Sequence, residues 1–203
     1  MRESICRLKN SFIIKNGDIK FMYRYEDLIL KKFTEEEIPF KVEWINNSAN
    51  NQFLHYDLPL TVEKTESWYK KIKDRNDRWD ATVFYNNKPV GLFGLLNIDY
   101  INKQAEDYSL IGDTSIKGKG IGIRAGILNL AHAFYDLNLN KVWGTIEVGN
   151  EPSLRRWRHM GGIIEGYLHD HIWKGDHFVD AYYVAIFNNS FVLPKEVYKV
   201  NND

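Results

Sequence analysis

The residues best suited to chemistry in this sequence form a glycine-rich turn at positions 116–122. Gly118, Gly120 and Gly122 lie there, after an apolar run that predicts a strand over 108–116 and before a long helical pattern. A strand that leads through such a turn into a helix directs several backbone N–H groups, and the positive end of the helix dipole, towards one point. Glycines also let a ligand approach that backbone with no Cβ in between. The spacing therefore predicts a site for a phosphate or pyrophosphate.

The elements that must position this turn follow from the pattern after it. Apolar residues recur every three or four positions from Ile121 to about Leu137, which predicts a helix. A second strand is predicted over 141–148, and a short helix begins near Pro152 and ends at Gly161. The order strand, turn, helix, strand favours a parallel pairing of the two strands.

Three known phosphate-binding patterns can be compared with the turn. A P-loop closes with a lysine and a serine or threonine, whereas an isoleucine and an arginine follow Gly122. The dinucleotide fingerprint has an acidic residue at the end of the next strand; Glu147 is at about that distance, but the glycines here are too closely spaced. The third pattern fits best, because Lys117-x-x-Gly120-x-Gly122 resembles the acetyl-CoA signature Arg/Gln-x-x-Gly-x-Gly/Ala of the GNAT superfamily of N-acetyltransferases.

The resemblance covers residues 23–187, most of the chain. The family segment Asn-x-x-Ala/Ser-x-x-x-Tyr-x-x-x-Gly corresponds here to Asn150-x-x-Ser153-x-x-x-Trp157-x-x-x-Gly161. Segments 58–68, 89–94 and 165–182 are similar to those of the subgroup with ribosomal-protein N-terminal acetyltransferases and bacterial spermidine acetyltransferases. The resemblance implies an α/β (α+β) fold, in which helices flank both faces of a mixed, mostly antiparallel sheet.

Composition agrees with one globular domain. The chain has 203 residues, 44% of them hydrophobic, and we expect a lead segment at 1–20, the domain at 21–187 and a polar tail at 188–203. A short strand is predicted at 11–14. Lysines plus arginines equal acidic residues at 27 each, so the net charge favours neither nucleic acid nor a membrane as partner. A lone cysteine, Cys6, and the absence of a long apolar run predict a cytoplasmic protein.

The resemblance implies that acetyl-CoA is the cosubstrate. No metal is expected, because His169 and His171, with His177 nearby, are accompanied by no cysteine and no second paired motif. The pyrophosphate of acetyl-CoA would be held by backbone N–H groups of the turn, with two lysines offsetting its charge; the turn residues are Ile116, Lys117, Gly118, Lys119, Gly120, Ile121 and Gly122. Asn150 would hydrogen-bond the pantetheine arm, whose amides would pair with a strand edge at 114–116. An N–H near Ile116 would polarise the thioester carbonyl. The arm and the adenosine 3′-phosphate would be contacted from the following helix, by Ser153, Trp157 and the cluster Arg155, Arg156 and Arg158.

Catalysis needs a base, because an alkylamine is mostly protonated at neutral pH and attacks only when unprotonated. Glu147, at the end of a strand that faces the cleft, is the first choice, Asp113 is the second, and Asp170 and His171 on the final hairpin are the third. The family acid that protonates the leaving thiolate is a tyrosine where this chain has Trp157, and an indole N–H cannot supply a proton. Ser153 or Tyr167 would replace it, or the thiolate would leave with the help of solvent.

The sequence leaves the acceptor amine open, and we expect its contacts in the loop 47–56. A nucleotide-linked amino sugar and a protein or peptide amine rank level. A polyamine ranks slightly behind, with Glu35, Glu36, Glu37 and Glu43 as the carboxylates that would bind it. Two alternatives to an enzyme are a non-catalytic acyl-CoA-binding or sensing module, suggested by Trp157, and a nucleotide-binding protein unrelated to CoA. A strand near the N-terminus would also suit a homodimer.

Overall fold

The computed structural model describes residues 22–54 and 56–200, which contain one nine-stranded sheet. The strands are β1 (Met22–Tyr25), β2 (Leu28–Lys32), β3 (Trp79–Tyr85), β4 (Lys88–Asp99), β5 (Gln104–Ile111), β6 (Lys141–Glu147), β7 (Ile163–Trp173), β8 (Phe178–Phe187) and β9 (Val197–Val200). Their spatial order is β7-β8-β6-β5-β4-β3-β2-β1-β9. Every neighbouring pair is antiparallel except β5 and β6, which are parallel. The predicted mixed, mostly antiparallel sheet is therefore confirmed.

Helices cover both faces of this sheet, as predicted. The α-helices of the described residues are α1 (Ile38–Asn46), α2 (Val62–Ile72), α3 (Ile121–Ala131) and α4 (Glu151–His159). Leu92 and Phe93 are adjacent on β4, so their side chains point to opposite faces. Leu92 packs in a cluster with Trp44 of α1, whereas Phe93 belongs to the main core together with Leu128 of α3. α1 and α2 thus lie on one face, and α3 and α4 on the other.

The unit that carries the glycine turn has the predicted order. β5 is followed by the turn, by α3 with a π-helical continuation at His132–Asp136, and by β6. β5 and β6 pair in parallel at Gln104–Lys141, Ala105–Val142 and Glu106–Trp143. The parallel crossover inferred from the sequence is therefore present.

The strand before the turn ends earlier than the apolar run indicated. β5 stops at Ile111, and Thr114–Ile116 is a 3-10 turn instead of a strand. A Cβ at Gly112 would lie 2.0 Å from Cγ of Trp44, so the chain passes very close to α1 there. Asp113 then accepts hydrogen bonds from the backbone N and the hydroxyl of Ser115, at 2.9 and 2.6 Å. This local turn competes with the strand and replaces it.

The two ends of the described chain meet at one edge of the sheet. The segment after 188 has a composition polar enough for a tail, although its apolar residues could also dock on the surface. It buries Phe191 and Val197 and supplies β9, which pairs with β1. β1 pairs in turn with β2 in an antiparallel hairpin. The strand predicted at 11–14 lies outside the described residues. None of the helices in the described part of the chain is long and apolar enough to cross a membrane.

Candidate active site

The parallel strands β5 and β6 separate towards their carboxyl ends. They pair only as far as Glu106 and Trp143, while β5 continues along β4 to Ile111 and β6 continues along β8 to Glu147. The facing edges of 107–111 and 144–147 therefore have no strand between them. The result is a notch at the ends of parallel strands, which is where ligands commonly bind in sheets of this kind.

A buried polar network joins the elements around the notch where the strands begin to separate. Asp107 accepts hydrogen bonds from Nη2 of Arg156 at 2.7 Å and from Nδ2 of Asn129 at 2.9 Å. Asn129 also donates to the carbonyl oxygen of Gly94 at 3.1 Å. These contacts connect β5 with α3, α4 and β4. Arg156 is thereby committed to the interior, so the expectation that it reaches the 3′-phosphate is wrong; Arg155 and Arg158 remain exposed.

The glycine turn has the geometry of an anion cradle. Gly118 and Gly120 adopt φ of +85° and +69°, and a Cβ at either position would meet no protein atom within 4 Å. Gly120 caps α3, and its carbonyl oxygen accepts from Ile123 and Arg124. The N–H groups of Ile121 and Gly122, in the first turn, have no acceptor within the helix. Open space before free N–H groups fits a pyrophosphate.

Two lysines flank this cradle, as predicted, and each already makes a contact. Nζ of Lys117 lies 3.5 Å from the carbonyl oxygen of Ala49, and Nζ of Lys119 lies 5.5 Å from the ring centre of Tyr85. Ile116 packs its side chain into the core. Because 114–116 is a turn, the expected pairing of a pantetheine arm with a strand there is wrong; the strand edge that faces the notch is 107–111 of β5.

The residues of the Asn-x-x-Ser segment lie beside the same notch. Asn150 is the N-cap of α4, and its Oδ1 accepts from the backbone N of Ser153 at 3.2 Å. Trp157 is 3% exposed, and its indole packs under β6, where a Cβ at Gly144 would be 3.1 Å from Cζ2. Trp157 therefore forms the floor of the notch.

Glu147 lies at the mouth of the notch, on the face opposite Trp157. Burial alternates along β6: Val142, Gly144 and Ile146 are buried, and Glu147 belongs to the other set. Its Oε2 is 2.9 Å from Nζ of Lys174, in the turn between β7 and β8. The two side chains are 11% and 21% exposed. The preferred base thus occupies a shielded position next to a cation that the sequence analysis did not identify.

The loop between α1 and α2 borders this face of the notch, and its contact with the acceptor stays a prediction. Asn50 donates from Nδ2 to the carbonyl oxygens of Gly112, at 2.8 Å, and Trp44, at 3.2 Å. Lys174 also donates to the carbonyl oxygen of Gln52 at 2.9 Å. The loop is therefore attached both to the end of β5 and to the hairpin that reaches Glu147.

The other proposed acid–base residues are occupied by local contacts. The pKa of Asp113 is lowered by its hydrogen bonds from Ser115, which favours the carboxylate but also engages it. Tyr167 donates to Asp180 on the exposed hairpin at 2.7 Å, and this bond raises the pKa of the phenol. A tyrosine with a raised pKa is a poorer acid for a thiolate.

A buried cation extends from α1 towards α2. Lys41 is 5% exposed, and its Nζ lies 4.6 Å from the ring centre of Trp68 and 5.4 Å from that of Tyr56. Burial lowers the pKa of Lys41 to about 8. The nearby carboxylate of Asp80 is bound by Arg78 at 2.7 Å. This face of the acceptor loop therefore carries positive charge.

The carboxylates expected to bind a polyamine lie elsewhere. Glu37 closes a capping box with Thr34, and Glu35 and Glu36 line a surface recess with Tyr69 and Lys73. Glu147 is the acidic side chain that reaches the notch mouth. As for metals, no group of three or more His, Cys, Asp or Glu side chains within residues 22–54 and 56–200 has a ligand-like arrangement.

Comparison with known proteins agrees with this geometry. The sequence matches the acetyltransferase (GNAT) domain family over residues 27–163, more than half of the chain. Spermidine N(1)-acetyltransferase of Escherichia coli (strain K12) is 25% identical over 165 residues, which cover 80% of this chain and 87% of that protein. YdaF of Bacillus subtilis (strain 168), a candidate ribosomal N-acetyltransferase, is 32% identical over 124 residues, covering 61% of this chain and 67% of YdaF.

The fold has a counterpart among solved structures. Spermidine N-acetyltransferase from Vibrio cholerae, crystallised with CoA and spermine, superposes with a TM-score of 0.76 at 22% identity, covering 81% of this chain and 97% of that one. Both subgroups named by the resemblance are thus represented among the relatives. The acetyl-CoA signature and the notch agree with the match to the GNAT domain over residues 27–163, and by that match the chain belongs to the GNAT family of acetyltransferases.

Proposed function

We propose that this acetyltransferase moves the acetyl group of acetyl-CoA to a primary aliphatic amine by direct attack, without a covalent enzyme intermediate. Family membership makes the chain an enzyme with acetyl-CoA as cosubstrate, in place of the non-catalytic alternative. One observation carries the proposal: the glycine cradle and the shielded carboxylate of Glu147 border the same notch between β5 and β6.

The glycine cradle and the edge of β5 would bind different parts of acetyl-CoA. The N–H groups of the glycine turn, chiefly those of Ile121 and Gly122 in the first turn of α3, would hold the pyrophosphate, and the ammonium groups of Lys117 and Lys119 would offset its charge. The free edge of β5 at 107–111 offers backbone groups to the amides of the pantetheine arm, and Asn150 lies at the end of β6, where its backbone N–H donates to the carbonyl oxygen of Glu147. Bound in this way, acetyl-CoA would supply an activated acyl group to the notch that Glu147 borders.

Glu147 is proposed to take the proton of the incoming ammonium. The carboxylate already holds one alkylammonium, that of Lys174, at 2.9 Å, which supports its capacity to bind another. Trp157 cannot act as the acid because an indole N–H does not ionise usefully. The hydroxyl of Ser153, or water, would supply the proton of the leaving thiol, and Asp113 stays a second choice for the base.

The relatives change the order of acceptors that the sequence suggested. A spermidine acetyltransferase and a candidate ribosomal N-acetyltransferase are among them, so we place a polyamine first, a protein amine second and an amino sugar third. Glu147 and the open notch support a slender alkylamine. Lys41 argues against a second cationic group near α1 and α2, so we expect a terminal amine to enter with the rest of the acceptor directed towards solvent.

Release of free thiol from acetyl-CoA tests this function. Purified protein is incubated with spermidine, with peptides that have free N-termini, or with nucleotide-linked amino sugars. We expect the fastest release with spermidine, and about a hundredfold loss of kcat in Glu147→Gln, the lower end of what a positioned base supplies. Glu66→Gln, an exposed change on α2, serves as the control. Thiol release with none of the acceptors, although calorimetry detects CoA binding, would contradict the proposal.

A further inference from the structure

Lys174 brings a primary amine of the chain itself to the candidate base. Its Nζ donates to Oε2 of Glu147 and to the carbonyl oxygen of Gln52, both at 2.9 Å, and lies 6.0 Å from the ring centre of Phe53. A carboxylate, a carbonyl oxygen and an aromatic ring are the groups that would bind the terminal amine of an external alkylamine. Lys174 therefore occupies the position of an acceptor.

The elements around Lys174 hold its amine there. Lys174 begins the turn between β7 and β8, and its backbone N–H donates to the carbonyl oxygen of His177 at 2.9 Å. β8 pairs with β6 up to Ala181–Glu147, so the hairpin and the carboxylate belong to one continuous sheet. The side chain is 21% exposed, less than a lysine on an open surface. A tethered amine of this kind has a high effective concentration at the site.

We propose that the chain acetylates its own Lys174 in cis when no acceptor competes, a step that rests on the proposed function. One proton of the Lys174 ammonium passes to Glu147 and on to solvent. Nζ then forms a bond to the acetyl carbonyl carbon while the carbon–sulfur bond of the thioester breaks. The second proton lost from Nζ is taken by the sulfur, so the products are Nε-acetyl-Lys174 and the free thiol of CoA.

The modification changes the site that produces it. An acetylated Lys174 has no charge to pair with Glu147, and its amide keeps a single N–H where the ammonium has three donors. It can no longer serve both Glu147 and Gln52 as it does now. Acetylation therefore releases the base and loosens one attachment of the loop between α1 and α2.

Mass spectrometry of the intact protein tests the step. The full chain is incubated with acetyl-CoA alone, and the mass of one acetyl group is followed and assigned by peptide mapping. We expect Lys174 to be labelled at a first-order rate that does not change on dilution, and spermidine to slow it. Lys174→Arg should lose this label, and Glu147→Gln should slow it about a hundredfold. Lys64→Arg, an exposed change on α2, should behave as the wild type.

A mixture of two variants separates the cis step from transfer between molecules. Glu147→Gln protein, which retains Lys174, is incubated with Lys174→Arg protein, which retains the base. We expect no faster label on the first protein than when it is alone; faster labelling would overturn the cis assignment. Label on Lys174 no faster than on exposed Lys64 would overturn the proposal even if added amines are acetylated. Label on Lys174 without turnover of any added amine would retain this step and overturn the acceptor function instead.

Discussion

Lys41 holds a charge where the fold offers little compensation. It lies against the rings of Trp68 and Tyr56, and the nearest carboxylate, Asp80, is bound by Arg78. Burial lowers its pKa from 10.5 to about 8, a shift that corresponds to a cost on the order of 3 kcal/mol while the folded chain keeps this amine charged. The cost is fully present below pH 8 and disappears above pH 10.5, because between these values the unfolded chain binds more protons.

Lys41→Met should therefore stabilise the protein, and by an amount that depends on pH. We expect a gain on the order of 2 kcal/mol at pH 7 that shrinks as the pH rises towards 10, measured as the free energy of unfolding in urea. Lys70→Met, the same change at an exposed position of α2, is the matched control and should show no such trend. If Lys41→Met loses the same stability at pH 7 and at pH 10, Lys41 acts through packing alone.

At the scale of elements, the buried network around Asp107 sets the point where β5 and β6 separate. Asp107 follows the last residue of β5 that pairs with β6, and its carboxylate binds Asn129 of α3 and Arg156 of α4. Arg156 also lies over the ring of Phe93, 5.7 Å from its centre. The two helices are thereby fixed to one strand beside the notch.

Asp107→Ala should cost stability because it leaves the guanidinium of Arg156 buried without its partner. We expect a loss of about 3 to 5 kcal/mol in urea denaturation, and partial recovery when Arg156→Met is added. Asp77→Ala removes a carboxylate from the exposed Arg75–Asp77 pair and should change the stability far less, because solvent screens that pair. If Asp107→Ala and Asp77→Ala lower the free energy of unfolding equally, the buried network contributes no more to stability than an exposed ion pair.

The glycine turn allows a second test at this scale. Gly120→Ala forces a side chain into a left-handed conformation, which costs about 1 to 2 kcal/mol, and places a Cβ in the open space of the cradle. We expect CoA to bind at least about tenfold more weakly in calorimetry, a loss of about 1.4 kcal/mol.

Gly161→Ala is its control, because Gly161 has φ of +88° and equally open surroundings, but lies beyond α4. It should lose similar stability and bind CoA normally. If Gly120→Ala binds CoA with unchanged affinity, the pyrophosphate does not bind at this turn.

Local patterns predicted the elements well, and distant contacts explain what they missed. The order of β5, turn, α3 and β6 follows from spacing within the segment itself. The end of β5 depends on Trp44 packing against Gly112, two residues far apart in sequence. Lys174 contacts Glu147 because β8 pairs with β6. Arg156 points into the interior because it binds the buried carboxylate of Asp107. Neither contact could be predicted from the residues near it in sequence.

At the scale of the whole molecule, β9 covers the outer edge of β1. Val197 is 7% exposed, and Lys199 donates to Oδ1 of Asp136 at 2.8 Å. Within the described residues the sheet therefore ends at β9 on one side and at β7 on the other. The homodimer suggested by the sequence stays a prediction.

Deletion of residues 196–203 should expose the backbone of β1 and the apolar surface under Val197. We expect a lower Tm, a loss of roughly 2 kcal/mol from the lost burial of Val197, and a concentration-dependent rise in light scattering. Deletion of 201–203 alone leaves β9 intact and should behave as the full chain. Unchanged melting of the longer deletion would show that β9 adds nothing to the sheet.

The attachment of the acceptor loop to the end of β5 has a kinetic consequence. Asn50 holds the loop to Gly112, and Lys117 of the cradle contacts the carbonyl oxygen of Ala49. A pyrophosphate that draws the Lys117 ammonium towards itself breaks the contact with Ala49. Binding of the cosubstrate at the cradle therefore affects binding of the amine at the acceptor loop. We expect ordered addition, with the nucleotide thioester entering first and the amine second.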